Sequence, residues 1–123
     1  MASSVAPSAV VPHVATLDGF IAATRGADGI HVRDIEPLTT LIVHTHNSQY
    51  RIVIAHQGTV RVQGGRFFPE LTVARLDGSS LGGTFLKLGW IGVGLCMELC
   101  ANGQRIVTSP VRRIGREAAP RVH

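Results

Sequence analysis

The stretch LIVHTHNSQYRIVIA, residues 41–55, constrains this chain more than any other. Its apolar residues recur at every second position, the period of a strand whose side chains point alternately to opposite faces. Asn47-Ser48 falls in the middle, so two strands joined by a two-residue turn are expected. Pairing His46 with Gln49 sets Val43 opposite Ile52. Leu41, Val43, Thr45, Tyr50, Ile52 and Ile54 then share one face, and Ile42, His44, His46, Gln49, Arg51 and Val53 the other. One face is core-like and the other mixed, the pattern of a half-exposed antiparallel pair.

The same period runs through most of the remaining chain. Ile30, Val32 and Asp34 alternate with His31, Arg33 and Ile35 until Pro37 interrupts. Gln57-Gly58 makes the turn into a strand at 59–63, Gly64-Gly65 breaks it, and another strand covers 70–76. Residues 85–100 read as one long strand, or two with a bend at Gly89, Gly92 or Gly94. Asn102-Gly103 is a type I′ hairpin signal that sets Cys100 against Arg105 and Leu99 against Ile106. Pro110 marks a sheet edge or strand end in the segment that follows. The only helix pattern is Thr16 to Arg25, capped by Thr16 and stopped by Gly26. The expectation is an all-β fold, a small antiparallel β-barrel of six or seven strands with one short N-terminal helix over 16–25. It forms a single domain over 14–114, between a flexible leader at 1–13 and a flexible basic tail at 115–123.

Apolar residues make up 45% of the 123 and charged ones only 16%, which is apolar for so small a domain with so much surface to cover. The segment 85–97 is apolar on both faces, so it is either central in the sheet or covered by a partner. Phe85, Leu86, Leu88, Trp90, Ile91 and Val93 are therefore the candidate interface, and a homo-oligomer or a protein partner is expected. The net charge of +4 permits contact with phosphates without demanding it, and the one basic run is VRRIGR at 111–116. Cys96 and Cys100 on one strand lie roughly 13 Å apart, against roughly 6 Å for a disulfide. Two unpaired thiols point to a reducing, cytoplasmic setting and make no zinc site. The uncharged run 88–97 falls well short of the roughly 20 residues of a membrane span.

The octet LDGSSLGG, residues 76–83, fits two functional patterns. As G-x-S-x-G it would make Ser80 a nucleophile on a strand-to-helix elbow. That chemistry needs an acid and then a histidine downstream, and only Glu98, Glu117 and His123 follow, with strand rather than helix pattern after Gly82. No nucleophile, base and acid fall at workable spacing, so the protein reads as not an enzyme. As D-x-S-x-x-G the octet resembles the motif of the PilZ family of small barrels that bind cyclic dinucleotides. The resemblance implies that Asp77 and Ser79 meet guanine bases, with Gly82 completing the motif, and that an upstream R-x-x-x-R element supplies guanidinium groups. This chain departs from it there: Arg61 and Arg66 are one residue too far apart, and the only R-x-x-x-R, Arg112 to Arg116, comes after the motif. The barrel is thus SH3-like or PilZ-like. A third reading accounts for every residue of the octet without a ligand, as a turn in which Asp and Ser satisfy backbone groups and the glycines take positive φ. The turn is preferred. Taken together, NSQY, GGRFFPE, GSSLGG, LKLGWIGVG and TSPVRRI also resemble short bacterial β-domain proteins, a likeness over about residues 40–114 that implies no activity.

His44 and His46 share a strand face, but the opposed Gln49 and Arg51 supply no third metal ligand, so no metal and no cofactor are expected. Arg61, Arg66 and Phe67, with Phe68, Phe85 and Trp90, would give a nucleic-acid barrel its stacking platform. Core packing is the preferred role for these aromatics. The sequence therefore reads as a non-enzymatic interaction module, with a cyclic-dinucleotide sensor as the alternative and a nucleic-acid-binding barrel as the second.

Overall fold

The computed structural model describes residues 28–82 and 85–117. The strands are β1 (Gly29–His31), β2 (Thr40–Thr45), β3 (Gln49–Ile54), β4 (Thr59–Gly64), β5 (Phe68–Ser80), β6 (Lys87–Leu88), β7 (Trp90–Gly92), β8 (Cys96–Ala101) and β9 (Gln104–Arg116). A 3-10 turn, Val32–Asp34, follows β1. β2, β3, β4, β5, β8 and β9 pair in that order, all antiparallel, and β9 pairs back with β2, so the sheet closes on itself in a ring. β6 adds to β5 beside the ring, and β7 pairs with β1. Strands adjacent in the ring are adjacent in sequence except across 81–95 and at the closing pair of β9 with β2, so short loops serve the other connections. The all-β expectation is met. The expected helix at 16–25 and the leader at 1–13 lie outside the described residues. Gly115 and Arg116, assigned to the tail, are instead the last paired residues of β9, opposite Ile42 and Leu41.

The two faces read from the first hairpin are observed: Leu41, Val43, Thr45, Tyr50, Ile52 and Ile54 are all buried. The register is not. His44, not His46, pairs with Gln49, and Leu41, not Val43, pairs with Ile52. Because the side-chain period is two, a slip of two residues leaves every side chain on its own face. The connection is a four-residue loop closed by the Thr45 hydroxyl, which donates to Ser48 O and accepts from Ser48 N at 3.0 Å each. Asn47-Ser48 has no glycine to take the left-handed conformation a two-residue turn demands, so the longer loop wins. At the other hairpin Asn102 (φ 52°) and Gly103 (φ 76°) are both left-handed, and Cys100 faces Arg105 and Leu99 faces Ile106, as expected.

Residues 85–100 form three strands rather than one or two. Gly89 (φ 66°) and Gly94 (φ 90°) break the run. Between them the chain crosses from β5 to β9: Gly89 N donates to Asp77 O at 3.0 Å, and Gly94 N to Val111 O at 2.7 Å. This strap, with β1 and the 3-10 turn, lies across one opening of the ring. Val32, Ile35 and Ile91 join the same apolar cluster as the inward residues of the ring. Burial of each such side chain contributes about 1.5–3 kcal/mol. β8 is buried on both faces, Met97 and Leu99 inward and Cys96 and Glu98 outward. The chain's own 81–82 bend supplies part of that outer cover, since the Gly82 backbone hydrogen-bonds the Cys96 thiol. Pro110 does not end its strand. It sits at a bulge where its carbonyl accepts from His46 N at 2.9 Å, and β9 carries on to Arg116.

Candidate functional site

The octet is not a corner. β5 runs through it to Ser80, and among the described residues Leu81 and Gly82 bend away. A bulge falls between Leu76 and Gly78: Leu76 faces Leu99 on the core side, while Gly78 faces Glu98 on the outer side. Gly78 takes φ 150°, and a Cβ there would come within 2.1 Å of Lys87 O. The bulge turns Ser79 inward, fully buried. Its Oγ donates to Trp90 O at 2.5 Å and accepts from Gly92 N at 3.2 Å. Ser79 thus staples the strap to β5, and both ends of its hydroxyl are used by the backbone. Asp77, on the outer face, accepts from Arg75 Nε at 2.6 Å. Gly82 is exposed with φ 67°.

The residues expected to bind a cyclic dinucleotide are therefore not assembled into one open site. Arg61 is exposed on β4 opposite Val73. Arg66 follows Gly64, which pairs with Phe68, at the end of β5 away from Asp77, roughly 30 Å along the strand. Ser80, like Ser79, has no exposed surface, which removes it from the role of an elbow nucleophile.

The expected interface divides in two. Ile91 is fully buried within this chain, a correction that follows from the strap's place over the core. Trp90 and Val93 are half-buried, and the Trp90 ring is covered by Lys87 Nζ at 4.0 Å and by the edge of His31 at 4.9 Å. Phe85 and Leu86 keep about a third of their surface, and Leu88 is 73% exposed. Leu88 borders an apolar cleft of about 470 Å3 lined by Val32, Ile35, Pro37, Ile54 and Leu76, with His31, Arg33 and His56 at its polar edge. Leu38, 82% exposed, stands next to it, its amide bonded to Ile54 O. Sequence reasoning missed Leu38; the signal was a leucine directly after the Pro37 interruption, held at φ 72°.

The aromatics do not form one platform. Phe68 is in the core, Phe67 lies exposed beside Arg66 near Tyr50 and the 107–109 stretch, and Trp90 belongs to the strap. His44 and His46 both receive guanidinium N–H groups, from Arg113 at 3.4 Å and Arg112 at 3.2 Å. Among the described residues no group of three His, Cys, Asp or Glu side chains is placed to hold a metal. Among the described residues no helix is long and apolar enough to cross a membrane.

Among the described residues three ion pairs shape the charge distribution. Glu98 is buried and accepts from Arg105 Nη2 at 2.8 Å, Asp77 pairs with Arg75, and Glu117 pairs with Arg51 at 3.0 Å. The hydrogen bond from Arg51 holds the Glu117 carboxyl below the usual glutamate range. Burial pushes the Cys96 thiol up, which makes it a poor nucleophile. No family model, no curated protein and no solved structure matches this chain.

Proposed function

We propose that this chain is a non-enzymatic interaction module, a small β-barrel whose Leu38–Leu88 end docks on a second copy of itself. The observation that carries this reading is that Leu88, 73% exposed, lines one apolar cleft, and Leu38, 82% exposed, directly follows Pro37 of the same lining. Contiguous exposed apolar surface on so small a domain is the mark of an interaction site. A two-fold interface needs a self-complementary patch, because each residue met by one copy is met in turn by the other. A patch with two projecting leucines beside an apolar hollow carries both halves of such a contact. Burying each leucine contributes about 1.5–3 kcal/mol toward the cost of association, and a two-fold contact counts each leucine twice. The apolar excess of the composition and the exposure of Phe85 and Leu86 at the foot of β6 support the same reading.

Sedimentation velocity tests it. The expected species has twice the 13.1 kDa chain mass. Leu88→Asp, at a position exposed enough to leave the fold intact, is expected to return a single-chain mass with an unchanged far-UV spectrum. A wild-type chain that sediments as a monomer at the highest soluble concentration overturns the proposal.

A further inference from the structure

We propose that single-stranded nucleic acid binds where the 46–48 loop, the β4–β5 turn and the bulge of β9 meet, with one base beside Phe67 and the neighbouring phosphates on Arg66, Arg112 and Arg113. A cleft of about 520 Å3 lies there, lined by Arg66 and Phe67 of the turn, by Asn47 and Tyr50, and by residues 107–109 of β9. Its volume is that of a small-molecule site and accommodates a nucleobase.

Two glycines bring Phe67 there. A Cβ on Gly64 would come within 2.1 Å of Gln49 O, and one on Gly65 within 2.7 Å of the Tyr50 hydroxyl, so the β4–β5 turn presses on the start of β3. Phe68 enters the core and Phe67 is left 56% exposed. An exposed ring held beside a cation stacks on any base, because every base has a π-face. Arg66 is exposed next to it, and no carboxylate lines the cleft to neutralise its charge. The Asn47 amide, also exposed, faces the same opening with donors and an acceptor for a base edge.

The bulge in β9 carries positive charge from this cleft onto the outer face of the sheet. Val111 pairs with Thr45 and Arg113 with His44, so Arg112 is the extra residue. Arg113 donates to His44 Nε2 at 3.4 Å and Arg112 to His46 Nδ1 at 3.2 Å. A guanidinium only donates, so these contacts place both arginines without neutralising them, whereas Arg51, Arg75 and Arg105 each pair with a carboxylate. The patch is continuous with the cleft: His46 N donates to Pro110 O at 2.9 Å, and the next amide, Asn47 N, donates to Ser109 Oγ at 3.0 Å. Guanidinium groups hold phosphate through forked, charge-assisted hydrogen bonds. His44, His46, Gln49, Arg112 and Arg113 are all polar, with nothing to insert into a bilayer, so a phosphate backbone fits them better than a lipid surface. Cleft and patch share no residue with the Leu88 cleft, so this site stands or falls independently of dimerisation.

Fluorescence anisotropy on the full chain with a labelled single-stranded oligonucleotide of about 12 nucleotides tests it. Binding is expected to weaken with salt, with a log–log slope of roughly −2 for the three arginines at about −0.7 each. Arg112→Gln with Arg113→Gln is expected to bring the slope to roughly −0.7 and to weaken binding roughly tenfold or more. Phe67→Ala is expected to weaken it roughly five- to hundredfold and leave the slope unchanged. Arg33→Gln, at the Leu88 cleft, is expected to change neither. Absence of binding at low salt overturns the proposal, as does a loss in Arg33→Gln equal to that of the paired arginine variant. Full affinity in Phe67→Ala, or a duplex of the same length binding as tightly as the single strand, overturns the base cleft. Vesicles containing phosphatidylserine are expected to leave the oligonucleotide bound, and its displacement by them overturns the proposal in favour of a membrane surface.

Discussion

Asn102-Gly103 and the octet LDGSSLGG carry the same turn chemistry, and the chain uses them in opposite ways. Asn102-Gly103 turns because β8 and β9 pair immediately on either side of it, so the local preference and the sheet agree. At the octet β5 is held on both edges, by β8 along 75–80 and by β6 at Gly78 and Ser79. The ladder overrides the local preference, and the glycine becomes a bulge rather than a corner. The Ser79 hydroxyl, which would satisfy its own backbone in a turn, satisfies β7 here, and Asp77 pairs with Arg75 of its own strand. Glycine therefore reports an unusual φ or a close approach, and the neighbouring strands decide which.

The sharpest way to break this contrast is to add a side chain at the two glycines. Gly78→Val places a Cβ against Lys87 O at 2.1 Å with φ 150°, and an expected loss above about 3 kcal/mol is read from urea denaturation. Ser79→Ala comes next. It strands Gly92 N and Trp90 O inside the protein, with an expected loss of about 1–3 kcal/mol by the same measurement. Gly103→Ala is expected to cost least, about 1–2 kcal/mol, because only its φ of 76° is at issue and the space around it is open. An octet that tolerated Gly78→Val as well as the hairpin tolerates Gly103→Ala would be a turn after all.

Much of the sheet is legible in the sequence because period two survives most errors of register. The hairpin at 45–48 slipped by two residues and kept Leu41, Val43 and Ile52 in the core. Asn102-Gly103 fixed its own register outright, because both residues accept positive φ. What sequence could not show is where the sheet closes. Pro110 reads as an end, but a bulge lets β9 pass it and reach β2, which pairs from Thr45 back to Leu41. The two-faced apolarity of 85–97 had two explanations, a partner or the centre of this chain. Ile91 shows the second at work, while Leu88 leaves the first for solution measurement. Of the sites, the octet was visible and misread.

Hydrogen exchange across the octet tests most directly whether the polypeptide is a closed ring with Ser79 sealed inside it. The amides of Leu76, Ser79 and Ser80 are expected to exchange only through global unfolding, while those of Asn102 and Gly103 exchange on the timescale of an open loop. Rapid exchange at Ser79 and Ser80, matching Asn102 and Gly103, would contradict the closed ring and return the octet to the surface as a loop free to meet a ligand.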